Sequence, residues 1–139
     1  MFGGLNGSAA KVALTETYDG SSWTEVGDLN TAGYSGGQAG TQTAALIAGR
    51  KDGTDLGEEW DGSSWTEGNG FVNARYQTSG CGTQTAALFN GGYPLTANTE
   101  EYDGTSFSEQ NNLNNSVRYG ASFGIQTAAI KAGGMTTGA

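Results

Sequence analysis

One phrase recurs three times along this chain. Tyr18-Asp19-Gly20-Ser21-Ser22-Trp23, Trp60-Asp61-Gly62-Ser63-Ser64-Trp65 and Tyr102-Asp103-Gly104-Thr105-Ser106-Phe107 follow one another at a step of 42 residues. A second phrase keeps that step: Thr41-Gln42-Thr43-Ala44-Ala45-Leu46, Thr83-Gln84-Thr85-Ala86-Ala87-Leu88 and Ile125-Gln126-Thr127-Ala128-Ala129-Ile130. A fixed step of this size restricts the fold severely, because each unit must bury its apolar face on a neighbour like itself. The 139 residues are therefore read as one domain of stacked units.

Each unit reads as four short strands. Val12 to Tyr18 is rich in β-branched residues, and Asp19-Gly20 follows as a hairpin turn. Ser22 to Val26 is the return strand. Gly33 to Gly40 is made almost wholly of small residues, and Thr43 to Gly49 is apolar on both faces, as a strand covered on both sides should be. Helical periodicity is absent, and short strands at regular spacing with turn signals between them predict an all-β chain. The aromatic hairpins carry most of the acid, which suits an outer edge because charge there blocks edge-to-edge pairing. The strands of Trp23, Trp65 and Phe107 are therefore expected at the rim. Their rings are expected in equivalent packing slots.

Composition removes several functions. The net charge of −8 opposes a nucleic-acid footprint. No apolar run approaches the length of a membrane helix, and the opening Met1-Phe2-Gly3-Gly4 shows no leader pattern. The single cysteine, Cys81, forms no intrachain disulfide and falls at a small slot that suits an inert buried thiol. Without histidine there is no Ser-His or Cys-His pair and no imidazole metal ligand. No cofactor and no metal are expected. Asp52, Asp55, Glu58 and Glu59 form an acidic cluster but lack the calcium-loop spacing. Asn6-Gly7-Ser8 and Asn114-Asn115-Ser116 match glycosylation sequons and are read as incidental.

The repeat resembles the kelch repeat. The carrying features are the glycine pairs Gly3-Gly4, Gly91-Gly92 and Gly133-Gly134, and the aromatic pairs Tyr18/Trp23, Trp60/Trp65 and Tyr102/Phe107. Arg75 and Arg118 are read as the arginine that opens the first strand. There are two departures: Gly49-Arg50 in place of a glycine pair, and Gly33 in place of the arginine. The unit is shorter than the ~50 residues usual for kelch, and is most similar to the compact kelch-like repeats of bacteriophage structural and tail-associated proteins. The resemblance implies a kelch-like β-propeller of four-stranded antiparallel blades over residues 1–139. A virion-associated location would follow from the phage likeness. The chain holds three blades' worth of strands, with the end blades split. Rings close with about 4–8 blades, so the chain is either part of a longer propeller or closes a six-bladed homodimer with a second copy. The second is the expectation.

Strand direction sorts the loops. The Thr-Gln and Asp-Gly turns share one end, and the variable loops share the other, together with Lys11, Arg50, Lys51, Arg75 and Arg118. Variation confined to one face of a repeat protein often marks its binding face. Tyr34, Arg50, Lys51, Arg75, Tyr76, Arg118 and Tyr119 are the candidate ligand residues, since aromatic faces stack on sugars and Arg presents a planar fork of donors. The competing role for the arginines is bonding carbonyls between neighbouring blades. The functional expectation is a non-enzymatic binding or structural module for a glycan or protein, with no nucleic-acid or membrane partner. The alternative is a glycoside-processing enzyme built on two carboxylates.

Overall fold

The computed structural model describes residues 2–51 and 56–136. Among them are thirteen strands and no helix. Sheet I consists of β1 (Phe2–Leu5), β2 (Lys11–Tyr18) and β3 (Trp23–Val26). Sheet II runs β4 (Gly37–Thr41), β5 (Ala44–Ala48), β6 (Gly57–Trp60) and β7 (Trp65–Gly68). Sheet III repeats it with β8 (Ser79–Thr83), β9 (Ala86–Asn90), β10 (Thr99–Tyr102) and β11 (Phe107–Gln110). Sheet IV holds β12 (Ala121–Ile125) and β13 (Ala128–Ala132). Every pairing within a sheet is antiparallel between strands adjacent in sequence.

The turns follow from their chemistry. Asp61 Oδ1 accepts the Ser63 N–H, the Ser63 hydroxyl and the Ser64 N–H, each at 2.8 Å, while Gly62 takes the positive φ the hairpin needs. Strands β3, β7 and β11 are sheet edges, as the acid on them requires. The small-residue stretch is shorter than expected, starting at Gly37 rather than Gly33. Ser35, at φ 60°, breaks the extended run, and Gln77 (58°) and Tyr119 (60°) do so at the same step. Beyond that break, β4 lies against β8 and β8 against β12. Only glycine permits this approach: a Cβ on Gly80 would lie 2.6 Å from the Gln38 carbonyl oxygen.

Two apolar layers join the sheets. Leu29, Ala45, Ile47, Trp60 and Trp65 fill the first, with Phe2, Ala13 and Val26 of sheet I against them. Leu46, Ala48, Phe71, Ala87, Phe89, Tyr102 and Phe107 fill the second, between sheets II and III. Residues on β5 thus alternate between the two layers, which is why that strand reads as continuously apolar. Cys81 is buried, and burial pushes its thiol pKa up. The aromatic slots are not equivalent. Trp65 and Phe107 are 6% and 7% exposed, but Trp23 is 57% exposed. Each ring packs on the sheet preceding its own, and no sheet precedes sheet I among the described residues. At the other end Phe123, Ile125 and Ile130 of sheet IV are also exposed.

Candidate functional site

The arginines separate into two groups. Arg50 and Arg75 are 3% and 5% exposed. Arg50 Nη2 lies 2.6 Å from Glu58 Oε1, and its Nη1 donates to the Thr31 carbonyl at 2.7 Å. Arg75 Nη1 pairs with Glu100 Oε1 and donates to the Asn73 carbonyl at 3.1 Å. The two carboxylates also accept the backbone N–H groups of the connection from the preceding sheet: Asn30 and Thr31 for Glu58, Val72 and Asn73 for Glu100. A buried carboxylate needs this full set of partners to offset its desolvation. Both arginines therefore belong to the junctions between sheets rather than to a ligand surface, a correction to their place among the candidate ligand residues. Of the acidic cluster, Glu58 is consumed by this pair, and Asp52 and Asp55 lie outside the described residues.

The two departures from the repeat are one compensated change. Thr31 and Asn73 occupy equivalent places, as do Glu58 and Glu100, yet the guanidinium comes from different backbone positions. In sheet III it rises from Arg75, with glycine at position 92. In sheet II it rises from Arg50, with glycine at position 33. Each glycine makes room for the arginine opposite: a Cβ on Gly33 would stand 3.0 Å from Arg50 Cδ, and one on Gly92 would stand 3.1 Å from Arg75 Cδ.

Arg118 belongs elsewhere. The isolated bridges Tyr34↔Lys51, Tyr76↔Tyr93 and Arg118↔Met135 stand at one step, so Arg118 is the counterpart of Tyr34 and Tyr76, and Val117 is the counterpart of Arg75. This corrects the equation of Arg118 with Arg75. Tyr119 shares the left-handed position of Ser35 and Gln77, and those three residues link the sheets: the Gln77 N–H donates to the Ser35 carbonyl at 2.7 Å and the Tyr119 N–H to the Gln77 carbonyl at 2.8 Å.

The result is a continuous strip of rings and cations across three sheets. Lys51 Nζ stands 5.8 Å from the Tyr34 ring centroid and 5.7 Å from that of Tyr76. The Tyr76 and Tyr93 rings are 5.1 Å apart. Arg118 Cζ lies 5.5 Å from the Tyr93 centroid and 5.8 Å from that of Tyr119. Tyr93 and Tyr119 are exposed, and Tyr34, Lys51, Tyr76 and Arg118 are half-buried. Five of the seven candidate residues are thus brought together, and Tyr93 joins them. Its signal in the sequence is its step of 42 residues from Lys51. Such a strip can stack a planar or sugar face and donate hydrogen bonds at its edges.

A separate cleft of about 670 Å³ lies beside sheet I. Its walls include Thr17 and Tyr18 of β2, Gln38 of β4, Cys81 of β8 and Phe123 of β12. It shares no lining residue with the strip. Among the described residues, no cluster of acidic or cysteine side chains suited to a metal ion occurs, and no helix is long and apolar enough to cross a membrane.

No family model matches the chain, and no curated protein matches it. Among solved structures, that of YjhT is similar in fold: the TM-score is 0.75 at 13% sequence identity, over 91% of this chain and 46% of that one. The chain thus spans about half the length of that structure, and the likeness is one of β-sheet fold.

Proposed function

We propose that this chain is a non-enzymatic binding module, a kelch-like half-propeller that closes a six-sheet ring with a second copy and presents the tyrosine-cation strip to a glycan. The observation that carries the reading is the strip itself. Six side chains from three sheets form one unbroken surface, held by a backbone ladder that fixes their spacing. Tyrosine faces lose little conformational freedom on binding, and a neutral glycan is not repelled by a net charge of −8. Half-ring closure is supported by the apolar faces left open at both ends of the row of sheets and by coverage of about half the YjhT chain.

A glycan array tests the ligand class. Wild type should bind a subset of neutral glycans, and Tyr76→Ala and Arg118→Ala should each lose that binding with little change in melting temperature. Binding that survives both substitutions, or no glycan bound at all, would overturn the assignment.

A further inference from the structure

The strip is built of two like halves. Lys51 Nζ lies over two rings, 5.8 Å from the Tyr34 centroid and 5.7 Å from that of Tyr76. Arg118 Cζ lies over two more, 5.5 Å from the Tyr93 centroid and 5.8 Å from that of Tyr119. Each half is thus ring, cation, ring, and the halves meet where the Tyr76 and Tyr93 centroids stand 5.1 Å apart. The period of the sequence hides this arrangement, because each half draws on two repeats: Tyr34 is bridged to Lys51 in one, and Tyr76 to Tyr93 in the next.

The joint between the halves is fixed by the backbone. The Tyr76 N–H donates to the Tyr93 carbonyl at 3.1 Å, and the Tyr93 N–H to the Tyr76 carbonyl at 2.6 Å. Both ends of the strip are fixed as well. The Lys51 N–H donates to the Tyr34 carbonyl at 2.9 Å. Tyr119 is held at three points: its N–H donates to the Gln77 carbonyl at 2.8 Å, its carbonyl accepts from Lys131 Nζ at 2.6 Å, and its hydroxyl accepts from Gln77 Nε2. These bonds keep Tyr119 at φ 60°, a conformation that a residue other than glycine holds only where its surroundings over-determine it. Ile47 and Phe89 stand at the step of Lys131 in the other repeats, so the ammonium that fixes Tyr119 is particular to this end of the strip.

We infer that the strip takes the flank of an extended, neutral, β-linked oligosaccharide, with one stretch of the chain on each half. This rests on the glycan reading above and names the class of glycan. Successive members of the strip stand 5.1 to 5.8 Å apart, close to the advance from one pyranose ring to the next in an extended β-linked chain. The strip is a surface and not a cavity: Tyr93 and Tyr119 are exposed, and the 670 Å³ cleft shares none of its residues. A site for a single sugar encloses its ligand, whereas a surface open along its length takes a chain from the side. Tyrosine supplies ring faces and hydroxyls, and the two cations donate to sugar hydroxyls from fixed positions. Two weak half-sites at a fixed separation act together once one ligand spans both, because the second contact then forms at a high effective concentration.

Isothermal titration calorimetry of the 139-residue chain with the series from cellobiose to cellohexaose reads the dependence on length. Cellohexaose should bind roughly a hundredfold more tightly than cellobiose. Maltohexaose, whose α-linked chain curls away from a straight strip, should bind no better than cellobiose. Tyr34→Ala and Tyr119→Ala each remove a ring from one half. Each should weaken cellohexaose roughly a hundredfold and cellobiose by no more than about twofold, since the other half still holds the short ligand. Circular dichroism should show an unchanged β-sheet signal, and because the two substitutions lie at opposite ends, either alone decides if the other unfolds the chain. Equal affinities for cellobiose and cellohexaose, or a preference for maltohexaose, overturn the extended-chain inference and leave the glycan reading standing. A wild type that binds other neutral glycans on the array but not cellohexaose does the same. A wild type that binds no sugar by either method overturns both.

Discussion

The guanidinium beside each buried glutamate can be reached from either of two backbone positions, and the chain uses one in each full sheet. Removing it leaves a carboxylate with no water and no cation, a change that costs about 3–5 kcal/mol. Arg50→Gly should therefore lower the unfolding free energy by about that amount. Adding Gly33→Arg should recover most of it, because the double variant copies the Arg75/Gly92 arrangement in sheet II. Denaturant titrations of the three proteins decide it. A double variant no more stable than Arg50→Gly would show that the two positions are not interchangeable. The same residues show what a single sequence conveys. The step of 42 from Arg75 lands on Val117, so the true register was present in the spacing, but similarity of side chain drew Arg118 into the wrong place. The exchange of Gly33 and Arg50 was invisible because it conserves a location in space rather than a position in the chain.

At the scale of the strand and turn, the repeats were legible because local chemistry and period agree. Asp-Gly turns, acidic edge strands and small converging strands all came through. Burial did not follow from period alone, because a ring is covered only when another sheet stands before it. Trp65→Ala should cost ~3–5 kcal/mol, whereas Trp23→Ala in the monomer should cost less than ~1 kcal/mol. Equal losses would show that Trp23 lies in a layer of its own. The turns make a separate prediction. Backbone N–H and hydroxyl donors hold the Asp19 and Asp103 carboxyls below the usual range and that of Asp61 at about 2. Because the folded pKa values are depressed, this stabilisation is complete above the unfolded carboxylate value near ~4 and is lost as pH falls through the folded values. Melting temperature should drop on acidification from ~4 toward ~2. Replacing Asp19, Asp61 and Asp103 together by Asn, which keeps the acceptor and removes the charge, should flatten that drop. An unchanged slope would assign acid lability to other carboxylates.

Across the whole molecule the sheets form a row, so stability is nearly a sum of each sheet's own folding and its contacts with neighbours. Sheets II and III are flanked on both faces, while sheets I and IV each keep one face open. Local opening should follow that order, because regions with few buried contacts open at lower free energy. In dilute solution, amide exchange should be slowest in β5, β6, β9 and β10 and fastest in β1, β12 and β13. Raising the concentration should slow exchange selectively in β2, β3, β12 and β13, since binding stabilises the strands it orders by mass action. The Tyr18 amide is the sharpest reporter: it lies beyond Thr15, where the pairing of β1 with β2 ends, next to the outermost layer of the row. Slowing spread evenly over all thirteen strands would mean association through some other surface. Slowing confined to these four strands would place the contact at the two ends of the row, where the apolar side chains of sheets I and IV stand exposed.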